Sequence, residues 1–285
     1  SLRTRSRSGI STRETPEFSG KEGVQDEKSR HTIEKYRRDL RKFIDFINGG
    51  EVTKERVINF KEYLVENYAL NSVNSILASI NHFMVFAGWQ EFRVKQLKKQ
   101  RQVYCPEERE LSRQEYFELI RTAKREGKER ICLIIQTIGS TGIRISELPS
   151  ITVQAVKDGG VQVDCKGKSR QVLMPKKLTM KLMHYIKKEK IRSGPVFRTK
   201  QGNPIDRSNI WKEMKKICRK AGIKEKKVFP HNLRHLLACS FYQMEKDIAK
   251  LADLLGHSNI NTTRIYIISS GGEHRKQIER MNLLL

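Results

Sequence analysis

Apolar residues recur at three- and four-residue spacing through the first third of the chain, a pattern that predicts helices with one buried face. The pattern begins near Lys28, and Gly49-Gly50 should end the first helix. Thr53 can cap a second helix. The positions expected to point inward in these two helices are Ile33, Tyr36, Leu40, Phe43, Ile44, Ile47, Val57, Phe60 and Leu64.

A third helix is predicted from about Asn71 to Gly88, and a shorter fourth near Phe92–Leu97. The inward positions of the third are Val73, Ile76, Leu77, Ile80, Phe83 and Met84. Residues 26–100 are therefore interpreted as a small all-helical domain. Residues 1–25, rich in Arg, Ser and Gly without periodicity, are expected to be a flexible basic tail.

Residues 101–110 are mostly polar, contain Pro106 and are interpreted as a linker. A second domain should begin at residue 111, because Ser112 and Glu115 form a capping box and Leu111 can pack against Tyr116. The pattern over 111–285 predicts mainly helices with a small antiparallel sheet. The predicted strands are Ile151–Val153, Val161–Val163 and Gln171–Met174. The predicted helices are Ile131–Ile138, Lys177–Lys190, Asn209–Ala221, Pro230–Gln243 and Lys246–Leu255, the last stopped by Gly256.

The charge of the chain predicts its partner. Lys and Arg number 57 against 32 acidic residues, a formal net charge of +25. Residues 101–285 carry most of that excess, with 38 basic and 19 acidic side chains against 19 and 13 in residues 1–100. Such a field favours a polyanion, because each neutralised phosphate releases condensed counterions. Nucleic acid is the favoured partner; a merely basic protein and a binder of acidic membranes are the alternatives.

Composition excludes several other classes. No apolar run approaches the roughly 20 residues that span a bilayer, and the N-terminus has no secretory pattern, so no membrane partner is expected. The five cysteines are scattered and form no CxxC pair, which argues against a disulfide framework or a zinc ribbon. We expect a cytoplasmic protein.

Four fragments of the second domain carry chemically distinctive residues. They are Thr141–Leu148 (TGIRISEL), a Lys-Gly turn within Cys165–Lys168, His231–His235 (HNLRH), and Leu254–His257 (LLGH) leading to Tyr266. Singly each is weak, because a lysine in a hairpin turn is usually solvated and an arginine after Thr-Gly usually pairs with a surface acid. Their combination, in this order, is what distinguishes them.

His231 and His235 also have the HxxxH spacing of zinc-binding helices, and Cys239 extends the same face. A zinc protease of that kind needs a glutamate directly after the first histidine, and here that position is Asn232. Pro230 instead places His231 in the first helical turn, where free N–H groups suit a phosphate. We therefore expect no metal at these residues.

Together these fragments resemble the signature of the tyrosine recombinase, or phage-type integrase, family. His231 precedes Arg234 by three residues, and His257 follows Arg234 by twenty-three. Tyr266 comes nine residues after His257. The resemblance covers roughly residues 110–285. The helical domain before it agrees with the family's core-binding domain in position and size, though not by motif.

The resemblance implies that Tyr266 attacks the scissile phosphate and forms a 3′-phosphotyrosyl link. A phenol of pKa about 10 is a poor nucleophile at neutral pH, so the site must assist its deprotonation. Arg144 and Arg234 would bind the phosphate oxygens as permanently charged, bidentate donors. Lys166 is the implied general acid for the departing 5′ oxygen, because a lysine can release its proton, and Lys168 is the alternative.

The remaining residues of the set would support this step. His231 and His257 would hydrogen-bond the phosphate, with His231 a candidate for proton transfer. Glu147, one helical turn beyond Arg144, is expected to orient an active-site side chain rather than react. His235 is expected to be structural.

The implied architecture is a two-domain clamp on double-stranded DNA, with a helical core-binding domain and a catalytic domain on opposite sides. Candidate DNA contacts are Lys95, Lys98, Lys99, Arg101, Lys168 and Arg170. Residues 273–285 are expected to form a terminal helix with an apolar face. It could pack in its own protomer, but the resemblance favours donation to a neighbour. Four protomers would exchange strands through a Holliday junction, and accessory DNA-bending or directionality factors are candidate further partners.

The expected function is integration or excision of a mobile element by a bacterial, nucleoid-associated DNA strand-transferase. A resolvase of chromosome or plasmid dimers, a type IB topoisomerase and a non-catalytic DNA-binding protein are the alternatives, and the complete set of six residues argues against the last. No cofactor is expected. The sequence has no GxxxxGK[ST] loop and no carboxylate cluster suited to two metal ions, so the reaction should need neither ATP nor metal.

Overall fold

The computed structural model describes residues 30–98, 110–165, 168–257, 259–264 and 280–281. The chain divides into two compact units, Ser1–Arg101 and Gln102–Leu285. Three predicted segments lie outside the described residues: the tail at 1–25, the linker at 101–109, and the terminal helix at 273–285 apart from Arg280 and Met281.

The described residues of the first unit, 30–98, form three α-helices and a short 3₁₀ turn. These are α1 (Arg30–Ile47), α2 (Lys54–Asn67), α3 (Leu70–Phe86) and the 3₁₀ turn Gln90–Phe92. Thr53 caps α2 as predicted, accepting from the Arg56 N–H. The predicted inward faces of α2 and α3 are confirmed as buried, but on α1 Ile44 is 42% exposed. Leu40, Phe43 and Ile47 already fill the face toward α3, which leaves Ile44 at its edge.

The predicted fourth helix near Phe92–Leu97 is wrong. The segment after the 3₁₀ turn is extended, and two asparagines of α3 bond its backbone. The Asn81 side chain donates to the Val94 carbonyl at 2.8 Å and accepts from the Val94 N–H at 2.9 Å. Asn74 makes the same pair of bonds with Leu97, at 2.9 and 2.8 Å. These bonds satisfy the backbone groups that a helix would otherwise pair internally.

A buried acid links α1 to α3. Asp39 is 3% exposed and accepts hydrogen bonds from Lys35 and from the Ser79 hydroxyl, each at 2.7 Å. Lys35 also donates to the Ser79 oxygen at 2.8 Å. The three side chains therefore satisfy one another across the helix pair.

The second unit is mainly helical with one β-hairpin. Its elements are α4 (Arg113–Arg125), α5 (Glu129–Thr141), a 3₁₀ helix (Ile145–Ser150), α6 (Val153–Lys157), β1 (Gly160–Cys165), β2 (Lys168–Leu173), α7 (Lys176–Lys188), α8 (Arg207–Lys220), a 3₁₀ turn (Glu225–Lys227), α9 (Pro230–Glu245), α10 (Ile248–Leu255) and α11 (Ile260–Arg264). The capping box of Ser112 and Glu115 is confirmed at the start of α4. Residues 131–138 of α5 are all buried, so this helix lies at the centre of the core.

The two strands form an antiparallel hairpin. Val163 pairs with Arg170 and Cys165 with Lys168, and residues 166–167, between the strands in the sequence, lie outside the described residues. The predicted strand Ile151–Val153 is wrong. Thr152 makes only an isolated bridge to Pro195, because its side chain caps α6 by accepting from the Ala155 N–H.

The end of the unit also differs from the prediction. The predicted helix Lys246–Leu255 begins later, because Lys246 adopts left-handed backbone angles (φ +56°) and ends α9. Asp247 then caps α10. Gly256 ends α10 in a left-handed conformation, as predicted. No helix within the described ranges is long and apolar enough to cross a membrane.

Candidate active site

Arg144 lies immediately after the end of α5. Gly142 ends that helix with φ +64°, and a Cβ there would lie 2.9 Å from Leu237 Cδ2. Glu147, one helical turn further along, accepts two hydrogen bonds from Arg144. Its Oε2 accepts from the Arg144 backbone N–H at 2.9 Å, and its Oε1 accepts from Nη1 at 2.8 Å. Glu147 therefore contacts both the backbone and the side chain of Arg144.

Arg144 keeps donors for a ligand. Its Nη2 donates weakly to the Gly256 carbonyl at 3.4 Å, and the side chain remains 30% exposed. A guanidinium has five N–H donors in a fixed fork, so the contacts with Glu147 and Gly256 leave further N–H groups for an anion.

Arg234, on α9, joins the ends of two helices. It is 3% exposed, and it donates to the Gly142 carbonyl at the end of α5 and to the Leu255 carbonyl at the end of α10. Its Nη2 also lies 3.3 Å from Nε2 of His257. The structure thus brings Arg144, Arg234 and His257 together around the turn that ends α10.

His257 has a defined tautomer in this arrangement. Arg234 has only donors, so the His257 Nε2 accepts and the proton sits on Nδ1. Nδ1 then donates to the Thr263 hydroxyl at 2.9 Å, on α11. Burial and the positive charges of Arg234 and Arg144 lower the pKa of His257 to about 4, so it is neutral at pH 7.

Glu147 is charged despite being 7% exposed. Burial alone would raise its pKa, but the hydrogen bonds from Arg144 and the charge of Arg170 outweigh that effect and lower the pKa. Arg170 Nη2 donates to Glu147 Oε2 at 2.5 Å. One carboxylate therefore holds two guanidinium groups.

The prediction that Arg170 contacts DNA is wrong for the side chain as it lies here. It is 9% exposed, and besides Glu147 it donates to the Leu254 carbonyl at 3.3 Å. Strand alternation could have revealed this orientation, because position 170 shares a face with Val172, which is 1% exposed. The prediction instead followed the basic character of the segment and treated Arg170 as a DNA contact.

His231 lies in the first turn of α9 as predicted, on the exposed surface. Partial desolvation by the surrounding protein and the positive charge of Arg234 both lower the pKa of His231. His235 lies one turn further along, with Nδ1 3.4 Å from the Cys239 sulfur, and burial lowers its pKa. Among the residues that the structure describes, no group of three His, Cys, Asp or Glu side chains could hold a metal ion.

Several predicted site residues cannot be placed. Tyr266 and Lys166 lie outside the described residues, as do Lys99 and Arg101. Lys168 is described only as the first backbone position of β2. Lys95 and Lys98 lie exposed in the extended segment of the first unit.

The described part of the site carries an excess of positive charge. Arg144, Arg170 and Arg234 contribute three cations and Glu147 one anion, and His257 is neutral at pH 7. This arrangement suits an anionic group with several acceptor oxygens, such as a phosphodiester, lying against Arg144 at the surface.

Comparison with known proteins identifies two family models. The model described as "Phage integrase family" matches residues 109–271, and "Phage integrase, N-terminal SAM-like domain" matches residues 23–91.

Curated relatives match almost the whole chain. "Tyrosine recombinase XerA" of Pyrococcus furiosus is 28% identical over 267 residues, covering 90% of each chain. "Tyrosine recombinase XerD" of Staphylococcus saprophyticus is 31% identical over 277 residues, covering 87% of this chain and 91% of the relative. Among solved structures, a lambda integrase tetramer bound to a Holliday junction has a TM-score of 0.72 at 12% identity, covering 90% of this chain and 77% of the other.

Proposed function

The chain belongs to the phage integrase family, and on that premise we propose that it is a site-specific tyrosine recombinase that cuts and rejoins DNA through a covalent bond to Tyr266. The observation that carries this proposal is the convergence of Arg144, Arg234 and His257 on the turn after α10, with more positive charge than Glu147 neutralises.

The arginines would bind the scissile phosphate. Negative charge accumulates on its non-bridging oxygens as a nucleophile adds, and preorganised guanidinium donors stabilise that state more than the ground state. Arg144 is half-exposed and would meet the phosphate directly. Arg234 is buried by its carbonyl contacts, and its charge would act at the floor of the site.

Tyr266 would supply the nucleophile. It follows α11 by two residues, and α11 is tied to the site because Thr263 accepts from His257. The phenolic oxygen forms a bond to phosphorus while the bond to the 5′ oxygen breaks, which leaves a 3′-phosphotyrosine and a free 5′ hydroxyl. Religation reverses these bonds with a different 5′ hydroxyl.

Two protons must move in this step. The tyrosine proton leaves as the bond to phosphorus forms, and His231, with its lowered pKa, is a candidate acceptor. The 5′ oxygen takes a proton from Lys166 in the hairpin turn, or from Lys168 in the alternative assignment. Since one phosphodiester replaces another, the exchange is nearly isoenergetic, and we propose that it needs neither ATP nor a metal ion.

The assembly proposed is a tetramer on two duplexes. A structural neighbour is a tetramer bound to a Holliday junction, and its fold matches this chain. We propose that the two units clamp a duplex, that Lys95 and Lys98 contact its backbone, and that residues 273–285 reach a neighbouring protomer. Accessory DNA-bending factors belong to the same proposal.

A second candidate function is resolution of chromosome or plasmid dimers. The relatives reported above are named XerA and XerD recombinases, which favours this alternative. The net charge of +25 and the basic N-terminal tail favour a mobile-element integrase. A plasmid with two copies of the captured site, compared with two plasmids carrying one each, separates excision or resolution from integration.

The decisive experiment is capture of a covalent adduct. The full chain is incubated in EDTA with a library of random-sequence duplexes, each nicked so that cleavage releases a short oligonucleotide. Adducts are separated on a denaturing gel and sequenced. We expect an adduct without metal, none with Tyr266→Phe, and a wild-type amount with the control Tyr242→Phe.

Four outcomes would count against the proposal. An adduct that requires Mg²⁺ contradicts the metal-independent mechanism, and one that survives Tyr266→Phe contradicts the nucleophile. DNA binding with no adduct from any duplex supports the non-catalytic alternative. Relaxation of supercoiled plasmid lacking the captured site would indicate a topoisomerase instead.

A further inference from the structure

A charged side chain occupies the buried face of the β-hairpin. Arg170 lies opposite Val163 in the strand register, and both Val163 and Val172 are at most 3% exposed. Placing a guanidinium beside valines is costly unless its charge is paired and its donors are satisfied. Neither solubility nor DNA contact explains an arginine on this buried face.

The partners of Arg170 all belong to the active site. Its Nη2 donates to Glu147 Oε2 at 2.5 Å, while Glu147 Oε1 holds Arg144 at 2.8 Å. Its Nη1 donates to the Leu254 carbonyl at 3.3 Å, three residues before His257. Arg170 is thus linked to Arg144 through Glu147, and to His257 through the backbone that follows Leu254.

The aliphatic stem of Arg170 also fills the space beside Gly256. A Cβ at position 256 would lie 2.1 Å from Arg170 Cδ, a distance that cannot be accommodated without movement. The Gly256 carbonyl accepts from Arg144. The close packing of Arg170 on this glycine therefore fixes the turn between α10 and His257.

We propose that Arg170 is a positioning residue of the recombinase active site, which holds Glu147 and the turn at Gly256 so that Arg144 and His257 face one phosphate. The inference rests on the proposed function, and it assigns Arg170 no contact with DNA. It also ties the hairpin, whose turn contains Lys166, to the groups that bind the phosphate.

Removal of Arg170 would leave Glu147 with one cation and leave a cavity beside Gly256. Arg144 would then sample orientations that do not match the phosphate, so the rate of cleavage falls while binding of the duplex persists. A lysine cannot replace Arg170, because a single ammonium group cannot bond Glu147 and the Leu254 carbonyl in the same planar geometry.

Arg130 provides a control with similar bonds, although its side chain is 34% exposed against 9% for Arg170. It too bonds one carboxylate, Glu213 at 2.6 Å, and one carbonyl, Arg198 at 3.2 Å. The Nε atoms of Arg130 and Arg170 are both buried without a hydrogen-bond partner among the described residues. Arg130 contacts none of the site residues named here, so Arg130→Ala reports the cost of losing such an arginine elsewhere in the unit.

The test compares Arg170→Ala, Arg170→Lys and Arg130→Ala in single-turnover adduct formation at saturating captured DNA. We expect a rate loss of about 10- to 100-fold for both Arg170 variants, DNA affinity within about twofold of wild type, and no rate loss for Arg130→Ala. Added guanidinium ion should restore part of the rate of Arg170→Ala only. Combining Arg170→Ala with Glu147→Gln should cost little more than the larger single loss.

A second measurement does not depend on activity. Inorganic phosphate is titrated into each full-length variant while the imidazole NMR signals of His257 are followed. We expect phosphate to bind about fivefold or more weakly to Arg170→Ala than to Arg130→Ala.

Equal rates and equal phosphate affinities for Arg170→Ala and Arg130→Ala would overturn the inference. A DNA affinity that falls as much as the rate would also overturn it, because Arg170 would then contact DNA. If wild type forms no adduct, the proposed function fails, and the phosphate titration still decides the role of Arg170.

Discussion

Each of the two units buries a carboxylate among basic side chains, and the two clusters differ in their balance of charge. In the helical unit, Asp39 is bonded at 2.7 Å to one cation, Lys35, and to the neutral hydroxyl of Ser79. In the second unit, Glu147 is bonded to both Arg144 and Arg170. Arg38 also lies 4.0 Å from Asp39, but its side chain is 70% exposed and solvent screens its charge, so the first cluster pairs its acid with one closely bound cation, whereas the second retains positive charge.

The difference shows how a buried ion network can be read for function. In a balanced network the charges and hydrogen-bonding groups satisfy one another, and the bonds join the elements that carry them, here α1 and α3. A network with surplus charge is unfavourable in the free protein and becomes favourable when an oppositely charged group arrives. The surplus around Arg144 is therefore where we propose that a phosphate binds, whereas Asp39 joins two helices of the fold.

The largest effect should follow a change to the surplus charge. Arg144→Lys keeps the charge but loses the bidentate geometry, so we expect cleavage to fall by about 10²–10³-fold, with DNA affinity and thermal stability close to wild type. Single-turnover adduct formation and a binding titration measure the two quantities, with Arg130→Lys as the control. Cleavage at the wild-type rate would show that Arg144 does not bind the reacting phosphate.

A smaller effect of the opposite kind should follow a change to the balanced cluster. Asp39→Ala removes the carboxylate from Lys35 and Ser79 and leaves them to share the Ser75 carbonyl as acceptor, so we expect the free energy of unfolding to fall by about 2 kcal/mol. Adduct formation per bound complex should not change. Urea unfolding with Glu62→Ala, an exposed acid of the same unit, as control tests the first part. A slowed cleavage step in the bound complex would mean that the two clusters do not divide stability and chemistry as described.

A third effect should appear in the pH dependence of stability. The pKa of His257 is about 4 in the folded chain and about 6.5 when unfolded, so the unfolded state binds the proton more readily. The contribution of His257 to stability is present above pH 6.5 and is lost as the pH falls toward 4. Unfolding curves for wild type and His257→Gln should therefore converge across that window. Parallel curves for His257→Gln would contradict the lowered pKa.

Local signals in the sequence predicted local structure well. Thr53 and the pair Ser112 and Glu115 are confirmed as caps, because a cap depends on residues within one turn. The extended segment that bonds Asn74 and Asn81 was predicted as a helix. Its partners lie 13 and 23 residues away, a separation that hydrophobic periodicity cannot detect.

The site shows the same limit. Family resemblance identified Arg144, Arg234 and His257, and the fold brings them together. The inward orientation of Arg170 depends on Glu147, 23 positions earlier, and on the Leu254 carbonyl, 84 positions later. Composition alone cannot distinguish a buried arginine with such distant partners from one that contacts DNA. The alternation of side chains along β2 did place Arg170 on the inward face.

Arg234 is anchored by two backbone carbonyls, and its guanidinium also lies 3.3 Å from His257 Nε2. The oxygens that hold it come from positions 142 and 255, and every amino acid carries such an oxygen. Divergence at position 255 among apolar residues of similar size would therefore leave this anchor in place. Position 255 should therefore tolerate apolar residues of similar size. Glu147 should tolerate few replacements, because its acceptor is itself a side chain that one nucleotide change can remove.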